Sequence, residues 1–123
     1  MRFFLLLSIL LCSFVALGKT EQISQQALLI NQMSATPHQI IDVRSPEEFA
    51  AGHVKGAINI PFNKIEQHQD LLNSLKEKTL VVYCRSGRRA GIFEQTLSKD
   101  GFNLLHLSGD MNGWQAENLP TVK

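Results

Sequence analysis

The chain has 123 residues, of which 44% are apolar and 19% are charged, and its formal net charge is +1. One domain of ordinary size is predicted, because domains of roughly 100–150 residues are the most common. The near-neutral charge excludes a general electrostatic attraction to nucleic acid or to an anionic membrane, so any electrostatic function must be local.

The first predicted element is a secretory signal peptide over residues 1–18. Arg2 is followed by an apolar stretch at 3–17, which is shorter than the roughly 17–25 residues of a membrane span. The small residue Gly18 fits a cleavage site. An uncleaved membrane anchor is the alternative reading. A lipoprotein signal at Cys12 fits less well, because the residue before it is a leucine rather than a small residue.

Removal of this leader would leave a domain over residues 19–123 with one cysteine, Cys84. The protein is therefore predicted to be exported, to the periplasm if the source is bacterial, with no stable membrane insertion after signal removal. No internal disulfide is then possible. A single cysteine in an oxidising compartment indicates a thiol that is either buried or reactive.

Short helices and strands are predicted to alternate along the remaining chain. Helices are predicted at 23–33, 45–53, 65–75, 88–101 and within 108–120, and strands at 39–43, 57–60, 79–83 and 103–107. The strand at 79–83 is continuously apolar, which is typical of a strand buried on both faces. This alternation predicts an α/β domain on a mainly parallel sheet, with the chemistry in loops at the carboxyl ends of the strands.

The best-defined helix start lies at residues 45–48. Ser45 is placed as the N-cap, Pro46 at the first helical position, and Glu48 at the position that completes a capping box. A helix is therefore predicted to begin directly after the strand at 39–43.

Cys84 directly follows the buried strand at 79–83 and opens a turn that leads into the next helix. Successive backbone N–H groups of such a turn can point into one concavity, and the helix N-terminus adds to the positive potential there. The anion favoured at that place is the Cys84 thiolate. The neighbouring arginines, Arg85, Arg88 and Arg89, are expected to attract an anionic substrate.

A purely structural interpretation of the same turn is also open. Cys84 could be an inert core residue, since buried cysteines are common, and the arginines could be a solvated helix start. However, three cations at a helix N-terminus oppose the helix dipole, and a structural role leaves them unexplained. The pattern therefore favours a reactive cysteine.

Four motifs in this order give the chain a resemblance to the single-domain rhodaneses. They are IIDVRSPEEFAAGHVKGAINIP (40–61), VVYCRSGRRA (81–90), SGDMNGW (108–114) and LPTV (119–122). The resemblance extends over nearly all of residues 23–123. It implies a rhodanese-like α/β fold with a five-stranded, mainly parallel sheet flanked by helices on both faces.

The resemblance also implies a function, sulfur transfer. A cysteine takes sulfane sulfur from a small anionic donor such as thiosulfate, holds it as a persulfide and passes it to a thiol or cyanide acceptor. Cys84 matches the nucleophile, and the six-residue cradle is completed by Arg85, Ser86, Gly87, Arg88 and Arg89. No cofactor and no metal ion are implied, and a monomer is expected.

Three further positions are expected to support the site. Asp42 and Arg44 match an acid-x-Arg pair after a family strand, and Arg44 is expected to brace the fold against Glu47 or Glu48. Trp114 resembles an aromatic residue that packs near the active-site loop. Asp110 stands where the resemblance implies glycine, and an aspartate tolerates the left-handed backbone conformation better than most residues. His106, by contrast, is interpreted as a structural or surface residue.

Two alternative functions remain open. The chain could be a non-catalytic persulfide carrier for an exported partner. It could also be a phosphatase or arsenate reductase, which share this type of cradle, but their loops have five residues between cysteine and arginine, and here four residues separate Cys84 from Arg89. A shorter loop suits a single sulfur atom better than a tetrahedral oxyanion.

Overall fold

A computed structural model describes residues 20–123. At its centre is a sheet of five parallel strands, β1 (Gln22–Ile23), β2 (Gln39–Asp42), β3 (Ile58–Asn59), β4 (Thr79–Tyr83) and β5 (Asn103–Leu107). The strands pair in the order β1-β5-β4-β2-β3, which makes β4 the middle strand. The predicted signal peptide, residues 1–18, lies outside the described residues. Within residues 20–123, no helix has the length and apolar character needed to cross a membrane.

Helices pack on both faces of this sheet. They are α1 (Gln25–Gln32), α2 (Pro46–Ala51), α3 (Gln69–Ser74), α4 (Arg88–Ser98) and α5 (Asp110–Ala116). On one face, α3 and α4 contribute Leu72 and Phe93 to a first core cluster. On the other face, α1 and α5 contribute Leu28 and Trp114 to a second cluster. The predicted α/β fold, with five strands and helices on both faces, is confirmed.

The middle strand, β4, joins the two clusters. Leu80 and Val82 belong to the first cluster, and Val81 and Tyr83 belong to the second, because successive side chains of a strand point to opposite faces. All four are fully buried, and burial of each such apolar side chain contributes about 1.5–3 kcal/mol. Cys84 directly follows β4, and its position is therefore fixed by a strand that is buried on both faces.

The edge strand β1 was not predicted from the residue pattern. It has two residues, and it pairs Gln22 with His106 and Ile23 with Leu107 of β5. A strand this short contains no alternation of apolar and polar residues that could reveal it. The fifth strand was implied only by the family resemblance.

The helix boundaries follow local signals where those signals are strong. In α2, Ser45 Oγ accepts a hydrogen bond from the Glu48 amide, and the Glu48 side chain accepts one from the Ser45 amide, so the predicted capping box is confirmed. The helix predicted at 65–75 is instead a 3-10 helix, Ile65–His68, followed by α3. Such 3-10 turns are frequent at the N-termini of α-helices.

Candidate active site

Cys84 lies at the carboxyl end of the middle strand, in the turn that joins β4 to α4. Gly87 caps α4 with a left-handed φ of 113°, and its amide donates a 3.0 Å hydrogen bond to Cys84 Sγ. A Cβ atom at Gly87 would lie 3.3 Å from Asp110 Oδ2. Glycine is therefore required here both by the backbone conformation and by the space beside it.

The Cys84 side chain is only 1% exposed and packs in the first core cluster. Cys84 is also the one free cysteine of residues 20–123. Its backbone is fixed on both sides by the start of α5, because its amide donates to Asp110 Oδ1 at 2.9 Å and its carbonyl accepts from the Met111 amide at 3.0 Å. The Cys84 sulfur is therefore buried under the turn that is formed by the residues after it.

The three arginines of the turn differ in their surroundings. Arg85 and Arg88 are exposed, and in the described part of the chain neither has a carboxylate within salt-bridge distance. Arg89 is half-buried and donates two hydrogen bonds, of 2.6 and 3.0 Å, to the two carboxylate oxygens of Glu48. Among the described residues Arg85 and Arg88 therefore have no carboxylate partner, whereas Arg89 joins the turn to α2.

The Arg89–Glu48 pair is strongly favoured in its charged form. The hydrogen bonds from Arg89 are the main reason that the pKa of Glu48 is lowered to about 2, and the hydrogen bonds with Ser45 act in the same direction. The pKa of Arg89 is raised, chiefly by the same hydrogen bonds. Glu48 therefore has two functions, because it both completes the α2 capping box and binds the last arginine of the Cys84 turn.

Asp42 and Arg44 form a buried pair beside the carboxyl end of β2. Arg44 Nη2 lies 2.7 Å from Asp42 Oδ2, and it also donates a 2.7 Å hydrogen bond to the Gly52 carbonyl. Burial lowers the pKa of Arg44, but the hydrogen bond and charge of Asp42 raise it further, with a net increase. The expectation that Arg44 pairs with Glu47 or Glu48 was wrong, since Asp42 is close enough to bind it within the same turn.

Tyr83 connects this pair to the middle strand. Its hydroxyl donates a 2.7 Å hydrogen bond to Asp42 Oδ2 and accepts one of 3.1 Å from the Val54 amide. Burial and, next, the nearby Asp42 carboxylate raise the pKa of Tyr83, so the hydroxyl remains protonated at neutral pH. Through Tyr83, the Asp42–Arg44 pair therefore joins the carboxyl end of β2 to the carboxyl end of β4, where the Cys84 turn begins.

Trp114 is buried in the second cluster, on the face of the sheet opposite the cluster that contains Cys84. Its indole N–H donates a 2.9 Å hydrogen bond to the Pro120 carbonyl. Trp114 anchors α5, whose first residues bind the Cys84 backbone. It thus supports the turn through its helix.

A second charged cluster adjoins the turn, and it includes His106, which the residue pattern predicts to be a structural or surface residue. His106 Nδ1 lies 2.6 Å from Glu94 Oε2, and His106 Nε2 lies 2.9 Å from Asp110 Oδ2. The hydrogen bond with Asp110 and then that with Glu94 raise the pKa of His106 to about 10. The available signals were a histidine within an apolar strand and an aspartate four residues later.

A cleft of about 870 Å³ borders the turn at Ser86 and Gly87 and is also lined by His106 and Asp110. Within residues 20–123, no group of three or more His, Cys, Asp or Glu side chains is arranged to hold a metal ion. Both ring nitrogens of His106 are already bonded to carboxylates. The side chains of Glu94, His106 and Asp110 are therefore hydrogen-bonded to one another beside the turn.

A family model described as "Rhodanese-like domain" matches residues 25–117. Thiosulfate sulfurtransferase PspE of Escherichia coli is 37% identical over 83 residues, which cover 68% of this chain and 77% of PspE. A crystal structure of a rhodanese-related protein from Thermoplasma volcanium superimposes with a TM-score of 0.72 at 27% identity, covering 83% of this chain and 97% of that protein.

Some relatives are considerably longer than the matched region. The uncharacterized protein slr1261 of Synechocystis is 36% identical over 85 residues, which cover 68% of this chain but only 46% of slr1261. The chain thus spans about half the length of that relative. The similarity describes a domain that also occurs within larger proteins.

Proposed function

The chain belongs to the rhodanese-like domain family, and from this premise we propose that it is a sulfurtransferase that carries sulfane sulfur as a persulfide on Cys84. The observation that supports the proposal most directly is the 3.0 Å hydrogen bond from the Gly87 amide to Cys84 Sγ. An N–H group aimed at sulfur stabilises negative charge there, and the thiolate is the nucleophilic form of cysteine.

In the first half of the cycle, the Cys84 thiolate attacks the outer sulfur of a donor such as thiosulfate. A new sulfur–sulfur bond forms on Cys84, the sulfur–sulfur bond of thiosulfate breaks, and sulfite leaves with the bonding electron pair. The charge of the thiolate passes to the outer persulfide sulfur. The left-handed turn at Gly87 and the start of α4 at Arg88 favour an anion at that point.

Arg85 and Arg88 are proposed to bring the anionic donor to this turn. Both are exposed, so their attraction for a dianion acts through water and weakens as salt is added. Arg89 is proposed to shape the turn instead, because Glu48 occupies its guanidinium.

In the second half of the cycle, a nucleophilic acceptor attacks the outer persulfide sulfur. Cyanide would leave as thiocyanate and a thiol would leave as its own persulfide, and in both cases Cys84 returns to the thiolate. Neither step needs a cofactor, because each is a direct nucleophilic displacement at the transferred sulfur, in which the electron pair of the broken bond leaves on sulfite in the first half and on Cys84 in the second. The cleft beside Ser86 and Gly87 is a candidate approach path for the acceptor.

The experiment is an intact-mass measurement after incubation with thiosulfate, followed by addition of cyanide. We expect the mass of one sulfur atom to appear and then to disappear, and thiocyanate to accumulate over many turnovers. Cys84→Ser is the matched control, since a serine hydroxyl cannot form a persulfide. Thiosulfate-to-cyanide transfer by the folded serine variant would refute the assignment of Cys84 as the nucleophile.

The same experiment tests the second candidate, a non-catalytic persulfide carrier for an exported partner. The burial of Cys84, at 1% exposure, is the observation that favours this candidate, because a sheltered persulfide would survive until a partner opens the turn. A carrier would gain one sulfur atom but would not release thiocyanate repeatedly. Multiple turnovers with cyanide would exclude a carrier role alone.

We also propose that residues 1–18 direct export, to the periplasm in a bacterial source. The support is the pattern of Arg2, the apolar stretch at 3–17 and Gly18. The mass of the protein isolated from its native host tests this proposal. Loss of residues 1–18 is expected, and a mature chain that still begins at Met1 would contradict it.

A further inference from the structure

Glu94, His106 and Asp110 form a hydrogen-bonded cluster that contacts the backbone of the Cys84 turn through Asp110. We propose that Asp110, held in place by His106 and Glu94, is a positioning residue that fixes the Cys84 backbone for persulfide formation. The consequence for catalysis rests on the proposed function, whereas the positioning itself can be tested without it.

The Cys84 amide lies beyond the hydrogen-bond ladder of the sheet. The β4–β5 pairing ends at Val82 and His106, and β5 itself ends at Leu107. The neighbouring strand therefore offers the Cys84 amide no acceptor, and Asp110 Oδ1 takes that place at 2.9 Å. A buried amide without a partner is unfavourable, so the Asp110 carboxylate supplies an acceptor that the sheet does not.

The start of α5 binds the turn at two further points. The Met111 amide donates to the Cys84 carbonyl at 3.0 Å, and the Asn112 amide donates to the Arg85 carbonyl at 3.1 Å. Together with Asp110, these bonds hold both polar groups of the Cys84 backbone. The orientation of Cys84 Sγ toward the Gly87 amide depends on this fixed backbone.

Asp110 has a backbone conformation that few residues adopt. Its φ is 53°, in the left-handed region, where a non-glycine residue is strained. Its side chain is only 5% exposed, and both of its oxygens are bonded. A strained residue with a buried carboxylate aimed at the nucleophile's amide is typical of a position kept for function.

His106 and Glu94 keep the Asp110 carboxylate in this orientation. His106 binds Asp110 Oδ2 through Nε2 and Glu94 Oε2 through Nδ1. Since ionised carboxylates can only accept hydrogen bonds, both ring nitrogens of His106 donate. The cation between the two carboxylates offsets their mutual repulsion and leaves Asp110 Oδ1 free for the Cys84 amide.

The test uses two substitutions of Asp110 and one matched control. Asp110→Gly removes the carboxylate and relieves the strained φ, so backbone strain cannot account for its effect. Asp110→Asn keeps an oxygen acceptor for the Cys84 amide, and its side-chain NH2 can donate to His106 Nε2 when the ring is neutral and bonded to Glu94 through Nδ1–H. Asp100→Asn is the control, because Asp100 is an exposed aspartate in the turn after α4.

The first readout is hydrogen exchange of the Cys84 amide, followed by NMR, which does not depend on sulfur transfer. In the unsubstituted protein we expect protection similar to that of the β4 amides. Asp110→Gly is expected to raise the exchange rate about tenfold or more, and neither Asp110→Asn nor Asp100→Asn should do so. If the Cys84 amide of the unsubstituted protein exchanges as fast as an exposed loop amide, that result alone overturns the proposal.

The second readout is persulfide formation, followed by intact mass over a range of thiosulfate concentrations. A displacement of about 1 Å in a reacting group can slow a reaction about 100-fold, so Asp110→Gly should lower the maximal rate about 10- to 100-fold. The half-saturating concentration should change little, since Arg85 and Arg88 remain, and Asp110→Asn should restore most of the rate. An unchanged maximal rate in Asp110→Gly would overturn the catalytic part of the proposal. Failure of the unsubstituted protein to gain sulfur would instead refute the proposed function and leave the exchange result standing.

Discussion

Raising the pH should weaken the fold through His106, because two carboxylates hold its imidazolium. The hydrogen bonds with Asp110 and Glu94 raise the pKa of His106 to about 10 in the folded protein, whereas an unperturbed histidine has a pKa of about 6.5. The folded state therefore binds the proton more tightly than the unfolded state. The stabilisation is fully present below about pH 6.5 and is lost as the pH rises toward about 10.

The size of the effect follows from the two pKa values. Each unit of difference corresponds to about 1.36 kcal/mol, and the linkage relation gives a loss of about 3 kcal/mol between about pH 6 and about pH 9. The His106 side chain is only 12% exposed, so screening by solvent reduces this value little. Such a loss is a large part of the stability of a small domain, which is typically about 5–15 kcal/mol.

The assay combines urea unfolding at several pH values with NMR titration of the His106 ring. Glu94→Gln is the matched variant, because it removes one of the two carboxylates and leaves Asp110 in place. We expect Glu94→Gln to lower the pKa of His106 and to reduce the pH dependence of the free energy of unfolding. A His106 ring that titrates near its ordinary value in the unsubstituted protein would refute the reasoning.

Three further predictions concern other residues around the turn. Arg88→Gln should raise the half-saturating thiosulfate concentration about fivefold at low salt and less at high salt, as judged from initial rates, whereas Lys55→Gln, a change at another exposed cation, should not. Glu48→Gln should release Arg89 and strengthen inhibition of sulfur transfer by phosphate, and equal inhibition before and after the change would contradict this. Tyr83→Phe should lower the free energy of unfolding in urea by about 1–3 kcal/mol, because it leaves the buried Val54 amide without a partner and removes one of the hydrogen bonds to the Asp42 carboxylate.

The parts of the site that are local in sequence could be predicted. The apolar run of β4, the cysteine after it and the glycine at position 87 together specify a strand end, a turn and a helix start within ten residues. The capping box of α2 is also local, since Ser45 and Glu48 are three residues apart. Such features depend on backbone geometry, which neighbouring residues largely determine.

Contacts between residues that are distant in sequence could not be predicted in the same way. Glu48 and Arg89 are separated by 41 positions, and Cys84 and Asp110 by 26. Several carboxylates were available to Arg89 and to the Cys84 amide, and the fold selects among them by placing Glu48 of α2 beside Arg89 and Asp110 of α5 beside Cys84. The wrong partners expected for Arg44 had a different origin, because Asp42 is only two residues away and the backbone turn after β2 brings its carboxylate to the guanidinium.

The pairing of Arg89 with Glu48 bears on the choice between sulfur and phosphate chemistry. A tetrahedral oxyanion above Cys84 would need an inward-facing cation at the end of the loop. Here that cation donates two hydrogen bonds to a carboxylate whose pKa is about 2, and moving it onto a bound anion would leave Glu48 without its partner. A persulfide on Cys84 would have a single outer sulfur and would not need this cation, because backbone amides such as that of Gly87 can stabilise its charge. For the proposed function, the short loop and the occupied arginine together favour a persulfide over a phosphate group at Cys84.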